Sequence, residues 1–161
     1  MPSSRSVNRV RDYIAQHGIE TEVKELPAST RTAQLAADAV GCELGAIVKS
    51  LVFVADGRSI LALVAGDRRA DPAKIAREQN ASAARIANAD EVRAATSYAI
   101  GGVPPFAHSQ PLDTLIDQSL LRFDRVWAAA GSPNAVFEIE TKTLLELTRG
   151  RVTDIVAGDS Q

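Results

Sequence analysis

The stretch Ala46-Ile-Val-Lys-Ser-Leu-Val-Phe-Val-Ala55, running on through Asp56-Gly57 to Ile60-Leu-Ala-Leu-Val64, decides the fold. Two β-rich runs joined through Asp-Gly are a strong hairpin signal, because the tight turn between twisted strands needs positive φ at its central residues. Both runs are almost continuously apolar, so the sheet they begin is expected to be covered on both faces. Helices are expected around it. Val7, Val10 and Ile14 fall at helical spacing, with Ser3 or Ser4 as the cap and Gly18 at the stop. His17 falls in that last turn, where its charge suits the helix dipole and its role is structural. Thr21 to Leu26 alternates weakly, as a short strand does, and Thr32 to Val40 is an alanine-rich helix ending at Gly41.

Asp71-Pro72 opens a further helix, and Asn88 with Glu91 has the spacing of a capping box for a helix from Ala89 to about Thr96. A poorly marked stretch and a helical turn near Asp117–Leu121 follow. Strands Val126–Ala130 and Ala135–Ile139 flank Gly131-Ser-Pro-Asn134, and Thr141 is placed to cap a last helix ending near Gly150. Helices interspersed with hairpins predict one α/β (α+β) domain with a mixed sheet over residues 1–155 and a frayed tail over 156–161.

Composition narrows the function. The 161 residues are 45% apolar and 24% charged, ordinary for a globular domain, and seven aromatics leave the core to Leu, Ile, Val and Ala. A net charge of −2 argues against a protein that grips a long nucleic-acid backbone, DNA included, but leaves room for one that touches only an RNA end. The single cysteine, Cys42, reads as a small packed residue, and no Cys/His spacing resembles a metal site. No apolar run reaches membrane-spanning length and no hydrophobic signal core opens the chain, so a cytoplasmic protein without a membrane partner is expected.

Chemistry concentrates in two places. Residues 99–109, Ala-Ile-Gly-Gly-Val-Pro-Pro-Phe-Ala-His-Ser, form a stiff loop whose glycine backbone lies bare at Gly101 and Gly102. It is either a plain connector or a surface a ligand approaches closely. Lys49 is the one charge in the first hairpin run; it marks a strand edge, or it points into a cavity and meets an anion such as phosphate. No nucleophile elbow, phosphate-binding loop or His-Glu-x-x-His is present, and two histidines give little basis for a Ser-His-Asp triad.

Lys49-Ser-Leu-Val-Phe, Ala65-Gly-Asp-Arg-Arg-Ala-Asp71, Gly101-Gly-Val-Pro-Pro105 and Ala129-Ala-Gly-Ser132 occur in this order. Together they resemble the YbaK/ProX family of aminoacyl-tRNA deacylases, which also forms the editing insertion of bacterial prolyl-tRNA synthetases. The resemblance spans about residues 20 to 155. It implies a curved, mixed, largely antiparallel sheet flanked by helices. It also implies hydrolysis, without cofactor or metal, of the ester joining a wrong small amino acid (Ala, Ser, Thr or Cys) to the 3′ end of a tRNA, foremost tRNA-Pro. Such an ester is already activated, so positioning a water and stabilising an oxyanion suffice. Mechanisms in the family are thought to be largely substrate-assisted.

By the same resemblance, Lys49 holds phosphate or ribose of the terminal adenosine, and Gly101 and Gly102 bring main-chain groups against the ester. Pro105 stiffens that loop, and Gly131 and Ser132 line the opposite side, although an ordinary hairpin turn also explains that pair. Thr32, with Thr30, either reaches the pocket or caps its helix, and His108 is a candidate for the rim. Asp71 is accounted for as a helix cap, and Arg68 and Arg69 as a solvated corner. Ser50 stands where several relatives carry Asn, and Pro104 where many carry Ser or Thr; both departures leave the specificity open. The implied partners are the acceptor end of an aminoacyl-tRNA and a prolyl-tRNA synthetase, and the lack of an attached synthetase domain points to a stand-alone factor. A non-catalytic module that binds an aminoacyl or nucleotide end is the alternative; Lys49 and the Gly101–Pro105 loop favour activity over it.

Overall fold

The computed structural model describes residues 4–30 and 32–158, which form five α-helices and eight strands. The hairpin leads. Strands β2 (Val48–Ala55) and β3 (Arg58–Ala65) pair antiparallel from Val48↔Ala65 to Ala55↔Arg58. Asp56 and Gly57 take φ of 49° and 82°, the double left-handed turn that the sequence requires. The Asp56 carboxylate also accepts the Ser82 amide at 3.0 Å and the Ser82 hydroxyl at 2.7 Å, which fixes the turn to the following segment.

Strand β4 (Ala84–Ile86) pairs antiparallel with β2, while β5 (Asp113–Asp117) lies parallel to β3 and β8 (Arg151–Thr153) parallel to β5. The result is a mixed five-stranded sheet in the order β4-β2-β3-β5-β8. Strands β1 (Lys24–Glu25), β6 (Arg125–Ala129) and β7 (Ala135–Glu140) form a second, antiparallel sheet in the order β1-β7-β6. A parallel bridge between Ile47 and Trp127 joins the two. The expected mixed, largely antiparallel arrangement is thus present as two hydrogen-bonded sheets joined at that bridge.

Both faces of the hairpin are covered, as its composition demands. Val48, Val52, Leu61 and Leu63 pack with Phe137 and Ile139 of β7 and with Val7, Val10 and Ile14 of helix α1 (Arg5–Gln16). On the other face Phe53, Ile60, Ala62 and Val64 meet Ile155 and Ile75 of helix α3 (Pro72–Glu78). A smaller cluster joins Ile47, Trp127 and Val136 to Ala36 and Ala37 of helix α2 (Ala33–Val40).

The caps follow the sequence closely. Ser4 accepts from the Val7 amide, Asp71 from Ala73, and Thr32 from Leu35, while Ser3 lies outside the described residues. Helix α4 (Ala89–Thr96) carries the full capping box between Asn88 and Glu91, with bonds of 2.8 and 2.9 Å. Arg85 clamps the same Glu91 carboxylate, and these hydrogen bonds hold its pKa down to about 2.

Other expectations are corrected. Helix α5 (Thr141–Thr148) is not capped by Thr141, whose hydroxyl donates to the Phe123 carbonyl at 2.6 Å and so seats the helix start on the segment just before β6. The strand expected over Thr21–Leu26 shrinks to Lys24–Glu25. The expected tail is tied down at its start: Val156 bridges Ala70 and the Ala157 amide donates to Arg69 at 2.8 Å. The last positions of that tail, 159–161, lie outside the described residues.

Candidate active site

A cavity of about 280 Å³ opens across the seam between the two sheets. It sits just below the roughly 300–1,000 Å³ of sites for drug-sized ligands, a size suited to an aminoacyl group. Ala33, Ala36, Ile47, Val52, Trp127 and Val136 give it apolar walls, and Ile86 and Ile100, half-exposed, stand among its lining residues. Polar chemistry enters through Thr32, Lys49, Ser50 and the main chain of Gly101. Four residues singled out in the sequence thus meet at one cavity although they come from three separate segments.

Lys49 is half-buried and its ammonium donates to the Arg68 carbonyl in the turn after β3. Burial pushes its pKa down, while the nearby Asp67 carboxylate pulls the other way. Asp67 is itself gripped by Arg122 through two bonds of 2.7 and 3.0 Å and faces Arg68 at 3.1 Å. Those arginines hold the Asp67 carboxyl below its ordinary range, the Arg122 hydrogen bond foremost. Arg68 is therefore part of an ion cluster behind the lysine as well as a corner residue. Asp67→Asn removes the charge that opposes desolvation, so the Lys49 titration midpoint should move to lower pH. An NMR titration of the lysine ε-methylene checks this; an unmoved midpoint would show that the carboxylate does not act on Lys49.

The glycine–proline loop is built by close backbone contact. Gly101 has φ of +86° and only Pro133 near its missing side chain, at 3.7 Å, so its backbone is bare toward the cavity it lines. Gly102 is confined instead: a Cβ there would sit 2.7 to 2.9 Å from the backbone of Ser132. The Gly102 carbonyl accepts the Gly131 amide at 3.0 Å, so the two glycine motifs brace each other. Gly131, at φ of +99°, is pressed on the first turn of α1, where a Cβ would lie 2.6 Å from the Ser6 carbonyl oxygen.

Several expected lining residues are not on this cavity wall. Ser132 donates its hydroxyl to Asn134 at 3.2 Å, and its neighbour Pro133 lines the cavity in its place. Pro105 and His108 line a different, larger groove of about 850 Å³ together with Arg58, Arg149 and Arg151. The His108 Nε2 lies 2.7 Å from the Pro104 carbonyl, and burial pushes the imidazole pKa down, so a neutral ring donating to that carbonyl braces the loop. Thr32 serves both readings, capping α2 at the Leu35 amide and lining the cavity. Cys42 is half-buried with its thiol pushed up by burial, and Glu138 and Glu43 reinforce the effect, which fits a packed residue and not a thiolate.

Trp127, the α2 alanines and the Asp67–Arg122 pair were invisible to sequence reasoning. The single tryptophan in an apolar run was the only signal of the first. Neither histidine lines this cavity, and among the described residues no group of three His, Cys, Asp or Glu side chains could hold a metal ion. No helix of the described residues is long and apolar enough to cross a membrane. The arrangement offers one cation, one unpartnered hydroxyl at Ser50, and exposed main chain. That set can position a small acyl group and stabilise developing negative charge; it supplies no nucleophile–base pair.

Residues 27–147 match the aminoacyl-tRNA editing domain, and the chain belongs to that family. It is 35% identical over 148 residues to the uncharacterized protein YwhH of Bacillus subtilis, a match covering 91% of this chain and 94% of that protein. A stretch of 59 residues is 39% identical to the proline–tRNA ligase of Lactobacillus gasseri, taking in 37% of this chain and 10% of the ligase. Among solved structures, a candidate trans-editing enzyme for prolyl-tRNA synthetase shares 46% identity at a TM-score of 0.90, covering 98% of this chain and 100% of that one. The hypothetical protein APE2540 shares 29% identity at a TM-score of 0.84, covering 92% of this chain and 99% of that one.

Proposed function

We propose that this protein is a trans-editing deacylase, which hydrolyses the ester between a small wrong amino acid and the 3′ end of a tRNA, tRNA-Pro foremost. The observation that carries the reading is the cavity of about 280 Å³ lined by Lys49, the bare Gly101 backbone and a majority of apolar side chains. The apolar part receives the amino-acid side chain. Lys49, a compact cation with two ammonium protons beyond the one given to Arg68, takes phosphate or ribose of the terminal nucleotide. The main chain at Gly101 faces the scissile carbonyl and orients water. Water adds to the carbonyl, the bond to the ribose oxygen breaks, and the free amino acid and the tRNA hydroxyl leave. Protons move through that water and the neighbouring ribose hydroxyl, since neither histidine is at the cavity.

The family and the likeness to a candidate trans-editing enzyme support the same reading. A deacylation time course on tRNA-Pro charged with Ala, Ser, Thr, Cys or Pro tests it. Release of one or more of the four small residues with prolyl-tRNA spared is the expected result. No release from any of the five would overturn a catalytic role on this tRNA.

A further inference from the structure

The geometry points to Ser50 as the residue that selects the amino acid: its hydroxyl pairs with a side-chain hydroxyl of the aminoacyl group, so the cavity is fitted to seryl and threonyl esters over alanyl ones. This rests on the deacylase reading above and names the substrate class of the same site.

Besides the Trp127 indole, three of the side chains that line the cavity carry polar atoms. Thr32 Oγ1 accepts the Leu35 amide, and the Lys49 ammonium donates to the Arg68 carbonyl. Ser50 Oγ is buried and has no hydrogen-bond partner, and it is alone in this among the buried side-chain nitrogen and oxygen atoms of the described residues. Its place in the strand explains why. Ser50 lies between Val48 and Val52 on the interior face of β2, and both valines are buried and line the cavity. Across the ladder it faces Leu63, which is fully buried. Valine or alanine would fit such a wall without leaving a polar group unpaired.

A ligand supplies the missing partner. A serine hydroxyl turns about a single bond between staggered positions, so it can present either its proton or its lone pairs to a group inside the cavity. A neutral side-chain hydroxyl matches that chemistry. An α-ammonium does not, because a single hydroxyl among apolar walls leaves a charge largely desolvated. The methyl of an alanyl group fills the space and leaves Ser50 unpaired. Serine and threonine differ by a methyl that an apolar wall lined with Ala33 and Ala36 separates poorly, so both belong to the class.

Two measurements test this. The first is kcat/KM for seryl-, threonyl- and alanyl-tRNA-Pro with wild type and Ser50→Ala. Wild type is expected to favour the hydroxyl-bearing esters by roughly 10- to 100-fold, and Ser50→Ala to bring that ratio close to one. A merely structural role for Ser50 would slow all three esters together and leave the ratio in place, which would overturn the inference. An alanyl preference in wild type would overturn it as well. The second is the Kd of the uncleavable 3′-amide analogues of seryl- and alanyl-adenosine. A seryl preference that Ser50→Ala abolishes upholds the inference even if no ester is hydrolysed, an outcome that would sink only the deacylase reading. Equal binding, or no binding, of the two analogues overturns the selection by Ser50.

Discussion

Lys49→Ala should lower deacylation about 100- to 1,000-fold while the protein stays folded, the size of effect seen when one charge-stabilising donor is removed from a reaction site. The side chain is half-buried, and burial works against its charge, so the fold does not rely on the ammonium. Its hydrogen bond to the Arg68 carbonyl is lost, but that turn keeps the Asp67–Arg122 pair and the Arg68 amide bond to Ala65 at 2.9 Å. Stability should therefore change by no more than about 1 kcal/mol. Single-turnover rates and a thermal melt, taken on the same preparation, separate the two effects. A folded variant with an undiminished rate would take Lys49 out of the site.

Gly102→Ala should act through the backbone. The new Cβ would overlap Ser132 main-chain atoms at 2.7, 2.8 and 2.9 Å, and backbone cannot turn aside as a long side chain can. Either the 131–134 turn or the 99–105 loop must shift, at a cost of about 1–3 kcal/mol, the range for overpacking a tight contact. For a chain of this length that lowers the melting temperature by roughly 2–4 °C per kcal/mol. Turnover should fall further than stability, because misplacing a positioning group by about 1 Å can cost 100-fold. Gly101→Ala gives the comparison for stability alone, a strained φ without a backbone clash. Its Cβ would meet only the Pro133 ring, at an ordinary van der Waals distance of 3.7 Å, and the cost is the left-handed φ of +86°, about 1–2 kcal/mol. A Gly102→Ala protein with wild-type melting and rate would reduce the loop to a connector.

How far the sequence could be read depended on how local each signal was. The Asp56-Gly57 turn, the Asn88–Glu91 box and the Asp71-Pro72 start are each written within about four residues, and each appears as expected. Strands β4, β5 and β8 were missed because they are short and their identity lies in distant partners; β8 exists only as the parallel neighbour of β5. The same holds at the site. Lys49 stood out as a charge in an apolar run, and Gly101 as bare backbone. Arg122 acts on Asp67 from 55 positions away, a pairing no spacing announces. Pro105 and His108 follow Gly101 and Val103 closely in sequence, yet they line the larger groove while Gly101 and Val103 line the cavity.

The division of the strands into two sheets has a consequence for how such a protein changes over generations. Among the described residues, strand-type pairing between the sheets comes down to the Ile47–Trp127 bridge, and side chains between them, Leu63 and Phe137 among them, act as spacers. The gauge of the gap they enclose is thus a property of the interior. A methylene gained or lost well away from the cavity lining would widen or narrow the cavity, so under the proposed function selectivity could drift between lineages with every lining residue unchanged.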